Sequence, residues 1–269
     1  MIVNTRRLFA RLLAQLRVDV VCDVGSMDGL DALVFGRAVP QATIYAFEPN
    51  PENFRLMETD ARLKARDIHL VAAAAADRAG EAEFFLVDAD YRRDDPRRGM
   101  SSLYRRADGW STSNGVVSVP TTRLDAFLGS RCVPDSCVAL WIDVEGAAYQ
   151  VVEGAAGIAK QAQLVHVEVE TAQYIAATQR LYPEVKALLQ EFGFRELATD
   201  RAPSDLQFNA LFARRDLSPW RRWRVSVLLY RARLRYLIVA AVRRLCPACL
   251  RRYQAVRTSR RARREAAAP

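Results

Sequence analysis

The feature that most constrains this chain is a pair of short apolar runs, each closed by an acid. Val20 to Asp28 reads V-V-C-D-V-G-S-M-D, and Thr43 to Pro51 reads T-I-Y-A-F-E-P-N-P. The first run ends in Asp23 and a turn at Gly25, and the second ends in Glu48. In a βαβ unit this order builds a nucleoside site. The glycine turn lets backbone N–H groups approach a ligand, and the acid closing the second strand takes ribose hydroxyls. The turn is not a full G-x-G-x-x-G, because Ser-Met-Asp separates Gly25 from Gly29. A dinucleotide's pyrophosphate needs those glycines, so a nicotinamide-dependent oxidoreductase is disfavoured. The turn suits S-adenosylmethionine, which carries a ribose and an amino acid but no phosphate.

The periodicity beyond this unit continues the same plan. Val18 to Asp23 is a β-branched run fit for a central parallel strand buried on both faces. Helical spacing runs from Leu30 to Val39, ahead of Pro40. Strand two covers Ile44 to Phe47. A helix follows from Pro51 to Leu63, with Asn50 as cap and Pro51 at its first position. Ile68 to Ala73 is a third strand, and Glu81 to Val87 reads as an added edge strand. Residues 88–115 are rich in Arg, Asp, Ser and Gly and lack periodicity; a loop this long inside a domain marks function or disorder, and it is the candidate lid. Val116 to Val119, Val138 to Asp143 and Leu164 to Glu170 read as strands. Thr122 to Leu128, Tyr149 to Ala159 and Pro183 to Phe192 read as helices. Phe194 to Leu197 and Gln207 to Ala213 close the series as an antiparallel pair. The expectation is an α/β fold: a mostly parallel central sheet, covered on both faces and closed by an antiparallel hairpin.

Charge divides the chain. Of the 269 residues, 217–269 hold fifteen Arg, no Lys and one acid, Glu265, for a net +14; residues 1–216 are left at −5. The expected organisation is a domain over 1–216, with a capping helix at 1–17, and an Arg-rich tail over 217–269, helical then disordered, that begins near Ser218-Pro219. A chain ending near Asp216 is expected to fold and bind cofactor. Five scattered cysteines form no disulfide framework, and a reducing cytosol is the simplest compartment. The N-terminus carries Arg11 inside its apolar stretch and reads as an amphipathic helix, not a signal peptide. No segment offers eighteen clean apolar residues, so no transmembrane span is expected.

Several blocks now resemble, in register, the FkbM family of S-adenosylmethionine-dependent methyltransferases. They are D-V-G-S-M-D-G at 23–29, A-F-E-P-N-P at 46–51, A-A-D-R-A-G at 75–80, M-S-S-L at 100–103, T-T-R-L-D-A-F at 121–127, I-D-V-E-G-A at 142–147 and H-V-E-V-E at 166–170. The resemblance spans roughly Val20 to Ala213. Trp141 departs from a usual Lys, Ala148 from a usual acid, and Met27-Asp28 from the usual Asn-x pair. The resemblance implies a Rossmann-like class I methyltransferase, with S-adenosylmethionine as cofactor and a sugar, glycan or polyketide-like small molecule as acceptor, most simply at a hydroxyl.

Strand-end geometry assigns the candidate residues, since ligands of open parallel sheets bind beyond the carboxyl ends of the strands. Asp23, Gly25, Ser26, Asp28 and Gly29 frame the first turn, where the methionine part of the cofactor is expected. Glu48 is the ribose ligand; its bland alternative is a charge at the start of the next helix. Ala74 to Asp77 fall near the adenine, or simply pack. Asp143 and Glu145 face the acceptor, where a carboxylate can take a hydroxyl proton; alternatively Asp143 caps the next helix and Glu145 holds backbone N–H groups near Gly146. His166, Glu168 and Glu170 share a strand face. They either line the acceptor pocket, with Glu168 a third catalytic candidate, or join a divalent-metal site, for which one strand alone is too little. His69 reads as surface or packing. Cys246-Pro-Ala-Cys249 lacks a second pair to complete a zinc site and reads as a helix break.

In the tail, Leu228, Leu229, Ala232, Tyr236 and Val239 fall on one helical face from Val225 onward, beside several arginines. Three uses are open: packing on the body or on a second subunit, lying in an anionic membrane interface on the cytoplasmic side, or gripping nucleic acid, which nothing in the body supports. A catalytically silent, membrane-associated scaffold with the same fold is the alternative to an enzyme, motivated by the departures at Trp141 and Ala148.

Overall fold

The computed structural model describes residues 1–91, 95–110, 115–133, 135–202 and 204–245, with side chains to 241. The Cys246–Cys249 motif, the end of the tail, and two pieces of the candidate lid lie outside the described residues.

The chain opens with α1 (Thr5–Leu16), capped by Asn4, whose side chain accepts from the Arg7 N–H at 2.7 Å. Leu8, Phe9, Leu12, Leu13 and Leu16 line its buried face. β1 (Val20–Val24) follows, then α2 (Leu30–Ala38), β2 (Thr43–Phe47), α3 (Pro51–Thr59), α4 (Ala61–Ala65) and β3 (His69–Val71). The helix expected over 51–63 is therefore two. Asp60 interrupts it in extended conformation, and its carboxylate accepts from the Arg62 N–H to start α4.

β4 (Ala74–Ala75), β5 (Gly80–Phe85) and β6 (Val116–Thr122) form a separate three-stranded sheet in the order β4-β6-β5. The expected added strand thus does not extend the main sheet; it pairs antiparallel with β6. α5 (Leu124–Gly129) leads to β7 (Val138–Ile142), α6 (Ala148–Glu153), β8 (Ala162–Glu170), α7 (Tyr182–Glu191), β9 (Phe194–Thr199), β10 (Gln207–Arg214) and α8 (Pro219–Leu245). α6 stops at Glu153, short of the expected Ala159, and a 3-10 turn over Ala156–Ile158 follows; Gly154 between them packs directly on the Ala76 carbonyl, where a Cβ would come within 2.0 Å.

The main sheet has seven strands in the order β3-β2-β1-β7-β8-β10-β9, all parallel except β10, which is antiparallel to both neighbours. All five residues of β1 and of β7 are buried, as continuous apolar runs in a doubly covered sheet must be. The strand order reverses between β1 and β7. That reversal opens a crevice at the carboxyl ends, where open α/β sheets bind ligands.

The pairing register then decides what meets there. Val24 pairs with Phe47 and with Ile142, and Ile142 pairs with Val167. β1, β2 and β7 therefore end level, while β8 runs on beside them to Glu170. The next residues along the chain are Gly25, Glu48, Asp143 and Glu168.

Candidate active site

A cavity lies over these strand ends, lined by Gly25, Glu48, Ala74 and Asp143 among the expected residues. Met27, Phe47, Phe84, Arg98, Ser101 and Val144 also line it.

Gly25 sits at φ 83°, and a Cβ there would fall 1.8 Å from the Asp143 carbonyl oxygen. No side chain fits between the first turn and β7. The N–H groups of Gly25 and Ser26 both donate to the Phe47 carbonyl, at 3.1 and 2.9 Å. The turn's value is therefore close approach, and these two donors are not left for a ligand as the sequence suggested. Asp23 is fully buried; its Oδ2 accepts from Ser26 Oγ at 2.6 Å and from the Ala32 N–H at 3.1 Å, and burial raises its pKa well above the carboxylate range. Asp28 turns to the start of α2, accepting from the Leu30 N–H at 3.0 Å. A Cβ on Gly29 would strike Leu63 at 2.7 Å. Asp23, Ser26, Asp28 and Gly29 thus build the turn without lining the cavity. Asp77 does not line it either; its carbonyl accepts from Arg123.

Glu48 is 4% exposed. Its Oε2 accepts from the Met27 N–H at 2.7 Å, and its Oε1 from the Asn50 N–H at 2.9 Å. Both readings of Glu48 thus meet in one side chain: it braces the start of α3 and faces the cavity. A carboxylate offers about four lone-pair sites, so acceptor capacity remains. Burial raises its pKa to about 7.

Beyond β7 and along β8, one carboxylate oxygen each from Asp143, Glu145 and Glu168 lies within 4.8 Å of the others. Burial pushes Asp143 and Glu168 upward, and Glu168 rises further because Asp143 stands beside it. Like charges this close cannot both ionise freely, so ionising one raises the affinity of the other for a proton. Gln207 fixes Glu168 by donating to Oε2 at 2.9 Å. Three carboxylates in this arrangement also suit a hard divalent cation. One of them, however, is already occupied: Arg106 donates to Glu145 at 2.8 Å. Glu145 itself is held at φ 45°, a left-handed conformation unusual for a side chain of this kind.

Glu145, Glu168 and Glu170 do not line the cavity themselves, and His166 does not join Glu168 in the acid cluster. It is buried under α1, stacked on Trp141 at 3.6 Å between ring centroids, with Nε2 3.0 Å from Thr5 Oγ1. Burial drops its pKa to about 3. Trp141 packs edge-on against Phe9 as well. The Lys-to-Trp departure is therefore a repacking of the core beneath α1.

Sequence reasoning missed Phe84, Arg98 and Arg106. The first was legible as an inward position of an apolar strand. The two arginines lie in a segment without periodicity, where no pattern marks which charge turns inward.

A family model described as the methyltransferase FkbM domain matches residues 23–196. The chain belongs to the FkbM methyltransferase family. The fold of this FkbM protein is Rossmann-like and of the class I methyltransferase type. A curated relative, the 2-O-methyltransferase NoeI of Sinorhizobium fredii (strain NBRC 101917 / NGR234), is 29% identical over 156 residues, covering 55% of this chain and 62% of that protein. The chain thus spans less than two thirds of the length of this relative. Similar solved structures include human N-acetylserotonin methyltransferase in complex with SAM, 12% identical over 78% of this chain and 51% of that one, TM-score 0.39. Another is precorrin-6y C5,15-methyltransferase from Geobacter metallireducens GS-15, 13% identical over 77% and 86%, TM-score 0.40.

Proposed function

We propose that this FkbM protein transfers a methyl group from S-adenosylmethionine to a hydroxyl of a sugar, glycan or polyketide-like small molecule. The observation carrying this reading is the level register of β1, β2, β7 and β8, which sets Gly25 and Glu48 on the same side as the Asp143–Glu168 acid pair.

The donor set fits the cofactor. Glu48 offers a buried acceptor for ribose hydroxyls. The small side chains of Ala73, Ala74 and Ala75, facing Phe84, leave a flat apolar slot suited to adenine. The Gly25 turn and Asp143 then border the methionine end. Bound there, S-adenosylmethionine supplies an already activated methyl group. The protein's part is to orient the acceptor hydroxyl and take its proton as its oxygen bonds to the methyl carbon. The Asp143–Glu168 pair suits that task, because an ionised carboxylate beside a second one has a raised affinity for a proton and can share it with its neighbour. Glu145, bound to Arg106, is better placed to hold the 100–108 segment than to exchange protons.

Oxygen as acceptor atom is supported by the name of the relative NoeI. The silent-scaffold alternative loses its motive, since Trp141 and Ala148 are both core residues. Calorimetric titration with S-adenosylhomocysteine and with NAD tests the cofactor. Tight NAD binding without response to S-adenosylhomocysteine sinks the reading. Transfer of labelled methyl groups to amines but not to hydroxylated acceptors overturns the oxygen assignment.

A further inference from the structure

The tail helix carries two apolar faces, and the structure separates them. Val225 is fully buried on α1, and Leu228, Leu229 and Ala232 pack beside it. These are the residues for which the sequence left packing on the body, a membrane interface and nucleic acid open, and the body takes them. Tyr236, from the same expected face, is exposed.

A second stripe lies on the opposite side. Trp220, Trp223, Val227, Tyr230, Leu234 and Leu237 recur at alternating steps of three and four residues, which keeps them on one line of a helix. All but the half-buried Val227 are exposed, Tyr230 at 68% and Trp220 at 59%. Trp220 and Trp223 stack on each other at 4.8 Å, with the Arg224 guanidinium over the Trp220 ring. On an ideal helix Arg224 and Arg231 fall along one edge of this stripe, and Arg233 along the other.

The occupant follows from charge. Residues 217–264 contain no acid, and the segment 217–269 carries +14. Two copies joined stripe to stripe would set that charge against itself. A bilayer rich in anionic phospholipid meets every requirement. Its acyl boundary takes the apolar line, its headgroup level takes Trp and Tyr, and its phosphates take the guanidinium forks. The helix is 27 residues long, about 40 Å, and no helix among the described residues is long and apolar enough to cross a membrane. It is built to lie flat.

We infer that the outward face of α8 docks this protein onto anionic phospholipid membranes, with Trp220, Trp223, Tyr230, Leu234 and Leu237 entering the interface and Arg224, Arg231 and Arg233 on the phosphates.

The test is co-sedimentation of the full chain with phosphatidylcholine vesicles and with equal mixtures of phosphatidylcholine and phosphatidylglycerol. The mixed vesicles alone should capture the protein, with a blue shift of tryptophan fluorescence. The triple variant Trp223→Ser, Tyr230→Ser, Leu234→Ser should weaken capture roughly tenfold or more. Arg231→Glu with Arg233→Glu should do likewise, since each basic residue near the surface contributes about fivefold. Unchanged S-adenosylhomocysteine binding and thermal unfolding in both variants would show that the body is intact. Equal capture by phosphatidylcholine alone overturns the inference. So does capture that survives the triple substitution, which would leave only a polybasic attraction. Concentration-dependent self-association abolished by the triple variant also overturns it, because a second copy would then be the occupant.

Discussion

Arg106, its side chain almost wholly enclosed, donates one guanidinium N–H to the Glu145 carboxylate at 2.8 Å across 39 residues of sequence. The same nitrogen also donates to the Met100 carbonyl, and the other guanidinium nitrogens meet Asp108. Ser102 Oγ donates to the Glu145 carbonyl at 2.7 Å, and the Ala107 N–H to Ile175 at 2.7 Å. Residues 100–108 are thereby fastened over the turn that follows β7.

Arg106→Ala should free this strap and leave Glu145 buried without its partner, a loss of about 3–5 kcal/mol for a broken buried pair. Arg106→Lys should fail to restore the wild-type state, because a single ammonium cannot span Met100, Asp108 and Glu145 at once. Thermal unfolding and protease cleavage near residue 105 measure both. Wild-type resistance in Arg106→Ala would show that the strap is held by its backbone bonds alone.

Glu48→Ala should weaken S-adenosylhomocysteine binding by about 1.5–3 kcal/mol, the loss of hydrogen bonds to a charged acceptor. The wild-type affinity should also depend on pH. The ionised carboxylate accepts ribose hydroxyls, and Glu48 protonates as pH falls through about 7. Affinity should therefore rise from pH 6 to pH 8 in the wild type and stay flat in Glu48→Gln. Titration calorimetry at several pH values decides. An equal slope in both proteins removes Glu48 from the cofactor site.

Asp143→Asn should leave cofactor affinity nearly intact and lower turnover by ~10²–10⁴. Glu168→Gln should give a loss of the same kind, since the pair handles one proton together, and the double variant should cost far less than the product of the two. Collapse of cofactor affinity in Asp143→Asn would make it a cofactor ligand.

The strand ends were legible in the sequence because β-branched runs such as Val20–Val24 and Val138–Ile142 can only be central strands, and each stops at a conspicuous residue. Level register turned that one-dimensional list into a site. Other features had no such signal. Glu81–Val87 alternates like any edge strand, and nothing in it says which sheet it joins. His166 shares its strand face with Glu168, yet α1 covers the first and not the second. α8 is apolar on both sides, and a single-face reading of it finds the stripe that packs on the body and overlooks the exposed one. Arg106 sits among surface-like charges, and only the fold shows it turned inward.

Stability should pass through a maximum in mildly acidic solution. Glu170 is 2% exposed and burial raises its pKa to about 7, from 4.5. Between those values the folded state binds more protons than the unfolded, so this contribution is lost as pH rises. His166 works the other way. Its folded pKa of about 3 lies below 6.5, so its contribution is lost as pH falls through that window. Glu170→Gln should flatten the alkaline limb by roughly 1–3 kcal/mol while leaving the acid limb, and His166→Phe should do the reverse. Denaturant midpoints from pH 4 to pH 8 would show it. A variant whose limb keeps the wild-type slope acquits that residue.

Shortening the tail should have a graded effect. The Ser218-Pro219 break marks where α8 begins, not where packing ends. Leu217 and Val225 are buried in the cluster that includes Leu12 and Leu16 of α1, and Leu228, Leu229 and Ala232 lie against it. A chain ending at Asp216 uncovers that face. Two fully buried aliphatic side chains contribute about 1.5–3 kcal/mol each, so this cut should lower the melting temperature and promote aggregation. A chain ending at Arg233 keeps every one of these contacts. It should melt like the full chain and bind S-adenosylhomocysteine equally well. It should hold less well to anionic vesicles, having lost Leu234, Leu237 and the ten arginines beyond residue 233. Equal stability of the two shortened chains would mean that α8 rests on the body without supporting it, and the domain would then close at β10.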